Sequence, residues 1–133
     1  MENIEENKLS GIILDACIRI HRALGPGLLE NAYEECLCYE LKQSGIPFER
    51  QKPIPIRYNE VSINVGYRAD IIVNNKVIIE LKSVQRLEPV HFSQIATYLK
   101  LTELKLGLLI NFNENTLIKG FHRIVNKMID EKT

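Results

Sequence analysis

Tyr67-Arg68-Ala69-Asp70-Ile71-Ile72-Val73-Asn74-Asn75-Lys76-Val77-Ile78-Ile79-Glu80-Leu81-Lys82 is the stretch on which the fold turns. Two apolar runs flank an Asn-Asn turn, and each carries acid where a sheet interior should be dry. Ala69, Ile71 and Val73 alternate with Arg68 and Asp70, the two-residue period of a strand. Val77, Ile79 and Leu81 alternate in the same way with Ile78, Glu80 and Lys82. A buried carboxylate is strongly unfavourable unless it is paired or holds a metal. Two carboxylates and an ammonium at neighbouring strand ends can satisfy one another around a divalent cation. Glu80 and Lys82, two apart on one strand, share a face. Whether Asp70 joins them depends on the turn. A two-residue turn at Asn74-Asn75 sets Asp70 opposite Ile79, on the wrong face. A three-residue turn through Lys76, or a bulge, pairs Asp70 with Glu80, and Asn tolerates the left-handed backbone such turns use.

On the C-terminal side, Pro89 suits the first turn of a helix running to about Glu103, with Phe92, Ile95, Ala96 and Leu99 as its core stripe. Leu106-Gly107-Leu108-Leu109-Ile110-Asn111-Phe112 is nearly continuous in apolar residues, as in a strand covered on both faces. A short strand around Gly120–Val125 follows. On the N-terminal side, Leu9, Ile12, Ile13, Ala16, Ile20 and Leu24 repeat at helical spacing until Gly25-Pro26-Gly27 breaks the pattern. A second helix runs from about Leu29 to Gln43, with Leu29, Ala32, Tyr33, Cys36, Leu37 and Leu41 inward and Ser44-Gly45 then Pro47 as its stop. Phe48 to Arg57 is extended, and Pro53 and Pro55 assign it to a sheet edge. Val61–Val73 reads as one continuous strand. The order is helix, helix, three strands, helix, one or two strands. This predicts an α/β domain with a mixed central sheet of four to five strands flanked by helices.

The 133 residues allow one domain and one core, residues 1–133, with residues 1–8 and 127–133 expected to fray. Formal net charge is zero, so no global basic field draws in nucleic acid. Cys17, Cys36 and Cys38 are odd in number and lack a zinc or disulfide spacing, which reads as reduced thiols in the cytoplasm. The opening Met1-Glu2-Asn3-Ile4-Glu5-Glu6 is polar and acidic, unlike a signal peptide, and no apolar run is long enough for a membrane span. His21, His91 and His122 share no ligand spacing and read as surface or helix-end residues.

Asp70 followed by Glu80-Leu81-Lys82 resembles the minimal signature of the PD-(D/E)XK nuclease superfamily: an acid, a spacer, then acid-x-lysine in a hairpin. Gly27-Leu28-Leu29-Glu30-Asn31-Ala32-Tyr33 resembles the motif of the GxxExxY proteins, a branch of that superfamily. Gln94-Ile95-Ala96-Thr97-Tyr98 resembles the Q-x-x-x-Y element of its RecB-like members. The likeness runs from about Leu9 to Val125. It implies a restriction-endonuclease-like core and hydrolysis of nucleic-acid phosphodiesters. It also implies that Asp70, Glu80, the Leu81 carbonyl and Glu30, directly or through water, hold Mg²⁺ or Mn²⁺, hard cations that want oxygen. Lys82 would orient or help deprotonate the attacking water and stabilise phosphoryl charge. Gln94 and Tyr98, neighbours on one helical face, would position a phosphate or Lys82.

The plainer readings stay open beside these. Glu80 and Lys82 can be a same-face ion pair, Glu30 a first-turn carboxylate favoured by the helix dipole, and Tyr33 a core residue. Gln94 and Tyr98 can equally be a solvated helix face. Arg68 shares the face of Asp70 and can neutralise it when no metal is bound. For a nucleic-acid partner, with DNA ahead of RNA, the expected footprint is Arg68, Lys52, Arg86 and Lys100, with Lys42, Arg50, Arg57 and Lys105 around them. The main expectation is therefore a metal-dependent nuclease working as a homodimer away from membranes. The alternatives are a nuclease-fold binding or assembly module without turnover, and a phosphohydrolase of small nucleotides.

Overall fold

The structure, a computed structural model, describes residues 4–127. Two helices, α1 (Glu6–Leu24) and α2 (Glu30–Gln43), precede the strands β1 (Phe48–Pro53), β2 (Ile56–Tyr58), β3 (Val61–Ile63), β4 (Arg68–Val73) and β5 (Val77–Lys82). Then come α3 (Pro89–Thr102), β6 (Leu106–Asn111), a 3-10 turn at Leu117–Gly120 and β7 (Phe121–Val125). Strands β1-β4-β5-β6-β7 make one five-stranded sheet in that order, and β2 and β3 make a separate hairpin. Among the described residues, only β5 and β6 run parallel, joined through α3; the other pairs in the sheet are antiparallel. This is the mixed sheet expected for a restriction-endonuclease-like core, with helices on both faces.

Alternation along the strands assigns the two faces, except that Ala69 and Ile71 fall in opposite layers because regular pairing lapses at Asp70 between them. Ile71, Val73, Val77, Ile79, Leu81, Leu108 and Ile110 pack under α1 and α2 with Leu9, Ile13, Ala16, Tyr33, Leu37 and Leu41. Ala69, Ile72, Ile78 and Leu109 meet Ile95, Tyr98 and Leu99 of α3 on the other. All six residues of β6 are buried, because this strand lies between two strands and two helical layers. Each Leu or Ile taken fully from water contributes about 1.5–3 kcal/mol. The sheet therefore anchors whatever is built at its strand ends. Gly107 lets α3 approach β6 closely, since a Cβ there would stand 2.8 Å from Ile95 Cδ1.

Several expectations need correction. Helix α1 begins at Glu6, so Glu6, Asn7 and Lys8 are helical and not frayed, with Leu9 already buried. Residues 1–3 and 128–133, where the remaining expected fraying falls, lie outside the described residues. Leu24 and Leu29 carry the apolar pattern but are 45% and 76% exposed, because each lies at the helix break. Val61–Val73 is not one strand. The chain leaves β3 at Ile63, and Asn64 Oδ1 accepts a hydrogen bond from the Gly66 amide at 3.0 Å while Gly66 takes φ 89°. An Asx turn on a left-handed glycine ends a ladder whatever the side-chain pattern beyond it. His21 is a helix-end residue, as one of the two expected readings has it, but it is not exposed. It is buried in the last turn of α1 with Nε2 2.8 Å from the Glu114 carbonyl oxygen.

The edge assignment is borne out for Phe48–Pro53, which forms β1 on the outside of the sheet, whereas Ile56 and Arg57, expected in the same edge segment, lie in β2 and pair with β3 in the separate hairpin. All three cysteines are free thiols, and burial pushes the Cys38 thiol up to about 11.

Candidate active site

The β4–β5 hairpin has the odd-numbered turn that the site requires. Val73 pairs with Val77 across Asn74, Asn75 and Lys76, with Ile71 opposite Ile79. Asn74 and Asn75 adopt φ 51° and 53°, and the Lys76 amide closes on the Val73 carbonyl at 2.9 Å. Continuing that register sets Asp70 against Glu80. Regular pairing stops there, and the two carboxylates take over the backbone hydrogen bonds. The Asp70 amide donates to Glu80 Oε2 at 2.8 Å, and the Leu81 amide donates to Asp70 Oδ2 at 2.8 Å. Each acid thus holds the other's strand, so the pair is built into the sheet. In an extended strand the N–H and C=O of one residue point the same way. The Leu81 carbonyl therefore faces the Asp70 side with its amide.

Two acids this close repel one another in a poorly hydrated place. Burial, then the charge of Asp70, pushes the Glu80 carboxyl up to about 8, against the opposing pull of the Asp70 amide and Lys82. Glu80 is only 4% exposed. The Asp70 carboxyl is also raised, by burial first and then by Glu34, while the Leu81 amide, Lys82 and Gln51 draw it down. Lys82 is the positive charge common to both acids.

A second irregularity faces Asp70 across the sheet. On β1, Arg50 pairs with Ile71 and Lys52 with Ala69, but Gln51 and Asp70 both drop out of the ladder. Gln51 sits at φ 48°, a strained value for a residue with a Cβ. Its Nε2 donates to Glu34 Oε1 at 3.0 Å and lies 3.5 Å from Asp70 Oδ1. Glu34, buried on α2, also accepts from Arg50 Nη2 at 2.9 Å. Arg50 in turn reaches Glu35 at 2.8 Å. Sequence reasoning missed Glu34 and Gln51, since only the tertiary fold brings residues of α2 and β1 to Asp70.

Gly27-Leu28-Leu29-Glu30-Asn31-Ala32-Tyr33 forms the approach to the site. Gly27 takes φ 103°, and the fully buried Tyr33 stacks on Phe112 with centroids 4.3 Å apart. The Tyr33 hydroxyl donates to the Gly25 carbonyl at 2.6 Å and accepts from the Leu28 amide at 3.2 Å. Ser83 Oγ, one residue past Lys82, donates to the Leu28 carbonyl at 2.5 Å. The loop is thereby tied to the end of β5. Glu30 is exposed at the first position of α2, and its charge contributes to the rise at Glu80. Asn111, fully buried, holds the chain after Lys82 through both the amide and the carbonyl of Val84. A polar residue closing an otherwise apolar strand was the available signal for it.

On the other side of the sheet, Gln94 Nε2 donates to the Tyr98 hydroxyl at 3.0 Å. Burial first, and more weakly the charges of Glu80 and Asp70, raise the Tyr98 hydroxyl pKa, so this pair borders the acids. The expected phosphate footprint is more scattered. Arg68 is exposed, with Nη1 3.3 Å from the Gln51 carbonyl, and Arg86 is exposed between β5 and α3. Lys52 pairs with Glu49 at 2.6 Å, and Lys100 lies on the flank of α3 beside Phe92, Ala96 and Ile124. His91 accepts from the Glu88 amide at 2.9 Å through Nδ1, a helix-start role. Among the described residues, no three His, Cys, Asp or Glu side chains converge on one metal-binding point. The available donors are the Asp70–Glu80 pair and the main chain beside it. Among these residues too, no helix is long and apolar enough to cross a membrane.

The model of the PD-(D/E)XK nuclease superfamily matches residues 7–124. No curated protein and no solved structure matches the chain significantly.

Proposed function

Since this chain belongs to the PD-(D/E)XK nuclease superfamily, we propose that it is a divalent-metal-dependent nuclease that hydrolyses nucleic-acid phosphodiesters. The observation that carries the reading is the Asp70–Glu80 pair, two acids locked by each other's strand at 2.8 Å, where burial first and the Asp70 charge second push Glu80 up to about 8. Such a pair is unfavourable alone and welcomes a cation. Its donors are hard oxygens: two carboxylates and the Leu81 carbonyl. They suit Mg²⁺ or Mn²⁺, which retain several waters, and not zinc, which wants three or four side-chain ligands. Glu30 joins this set through water, consistent with its exposure.

When bound, the cation supplies Lewis-acid stabilisation and a more acidic water. The chain's own residues supply the rest. Lys82 orients the water and stabilises charge growing on the phosphoryl oxygens. Gln94 and Tyr98, already hydrogen-bonded to each other, position the strand or Lys82. Arg68 and Arg86 offer exposed charge for flanking phosphates, with Lys52 and Lys100 further out. We also assign the chain to the GxxExxY branch, supported by the left-handed Gly27 and by Tyr33 clamping the loop before Glu30. We place DNA ahead of RNA as substrate and the working form as a homodimer, whose second copy would supply a second site. Sedimentation at micromolar concentration returning only the monomer mass would remove the dimer.

A second reading is a binding or assembly module that keeps the fold without turnover. It is favoured by the zero net charge and by the pairing of Arg50 and Lys52 with acids. Metal-dependent cleavage of a mixed panel of DNA and RNA, single- and double-stranded, separates the two. Lys82→Ala should lower cleavage by roughly a hundredfold or more while costing under about 1 kcal/mol of stability. Cleavage of nothing in the panel, or an unchanged rate in Lys82→Ala, would overturn the assignment.

A further inference from the structure

Beside the acids, on the α3 side, is an open cavity of about 410 Å³ lined by Tyr67, Val90, His91, Ser93, Gln94, Thr97 and Tyr98. This is within the size range of small-ligand sites. Its aromatic wall is Tyr67, 41% exposed, with its ring centroid 6.0 Å from that of the buried Tyr98 and tilted by 48°. The Ile54 amide holds the Tyr67 carbonyl at 2.8 Å, which fixes the backbone under the ring. The rim from α3 is polar, with hydroxyls at Ser93 and Thr97 and an amide at Gln94. Tyr67 precedes Asp70 by three residues, about 10 Å along an extended chain. The stretch entering the cavity, Ile63 through Val65 to Tyr67, leaves its apolar side chains in solvent. An exposed apolar run beside a reactive centre marks a contact surface.

We propose that this cavity receives one unpaired base of a single-stranded nucleic acid whose backbone crosses Asp70 and Glu80, with Tyr67 as the stacking platform. The inference rests on the nuclease reading of those acids and adds the substrate class. An aromatic face set inside a cavity can stack only a base that has left its duplex, and the polar rim meets the edge of that base. Charge points the same way. Duplex affinity comes mainly from phosphate contacts. Here Arg50 is held by Glu34 and Glu35, and Lys52 by Glu49. Arg68 and Arg86 remain exposed for phosphates, but with zero net charge overall stacking supplies the hold that the charges do not.

The test measures binding by Asp70→Asn protein in EDTA, so that cleavage is absent. Its probes are a labelled short single-stranded DNA, the matching single-stranded RNA, the duplex of the DNA sequence, and free mononucleotides as competitors. One or both single strands should bind at least about tenfold tighter than the duplex. Adding Tyr67→Ala should weaken that binding roughly 5- to 100-fold, and Tyr67→Phe should retain it. Thr97→Met, at an exposed helix position, fills the cavity without touching the core and should weaken binding as well. Equal or tighter duplex binding, indifference to both Tyr67→Ala and Thr97→Met, or mononucleotides competing as well as the oligonucleotide would each overturn the proposal. Wild-type cleavage separates this outcome from the nuclease reading. Duplex cutting that needs Asp70 but not Tyr67 removes the base site alone, while Tyr67-dependent binding without cleavage of any nucleic acid removes the nuclease alone.

Discussion

Replacing Glu80 by Gln should make the metal-free protein more stable above neutral pH, although Glu80 is among its most buried polar residues. In the fold its carboxyl rises from the ordinary 4.5 to about 8, through burial first and the neighbouring Asp70 charge second. Between those values the folded protein keeps a proton that the unfolded chain has released. Stability is therefore fully present below 4.5 and falls as pH rises through the folded value near 8. At about 1.36 kcal/mol per tenfold, the whole interval is worth at most about 5 kcal/mol. Gln keeps the hydrogen bond from the Asp70 amide and removes the charge, but its amide group must find a new acceptor. We therefore expect a gain of about 2 kcal/mol at about pH 8, or roughly 5–10 °C in melting temperature. The gain should vanish and turn into a loss of about 1 kcal/mol at about pH 5, where wild-type Glu80 is protonated and only the cost of the Gln amide remains. Thermal unfolding in EDTA at the two pH values measures both. A Glu80→Gln variant less stable than wild type at the higher pH, or a difference independent of pH, would refute the electrostatic account of the pair.

Tyr33→Phe should keep the stack on Phe112 and lose the hydroxyl that joins the Gly25 carbonyl to the Leu28 amide, costing about 1–2 kcal/mol in chemical denaturation. The same variant should speed hydrogen exchange at Leu28, and exchange unchanged there would show that the hydroxyl does not secure the loop. Gly120→Ala should destabilise by about 2 kcal/mol or more, because its Cβ would overlap the Asn111 carbonyl oxygen, which is fixed backbone in β6. A variant with wild-type stability would mean that the 3-10 turn yields easily.

The hairpin was legible in the sequence but its turn was not, because strand geometry is strict only about parity. Asp70 and Glu80 can share a site across an odd loop or a bulge, and Asn74-Asn75-Lys76 supplies the odd loop. The helix limits were readable, since Gly25-Pro26-Gly27 and Ser44-Gly45 act locally. The break at Gly66 was not, because Val61, Ile63, Val65 and Tyr67 keep a period of two whether or not a neighbour pairs with them. Those side chains are exposed, so their pattern reports a surface instead of a core strand. The Glu34–Gln51–Asp70 contacts were invisible for another reason. They join α2, β1 and β4, and nothing in the local pattern of any one of these predicts the other two. Arg50 and Lys52 were legible as charge but not as the partners of Glu34, Glu35 and Glu49, because a sequence displays charge but not what it pairs with.

Titration with Mn²⁺, read by calorimetry and by melting temperature, tests the central claim most directly, that Asp70 and Glu80 together hold a divalent cation. A single site is expected in the wild type, with stability rising with metal concentration by mass action. Neither heat nor thermal shift is expected in Asp70→Asn. A shift that survives intact in the Asp70→Asn, Glu80→Gln double variant would contradict it.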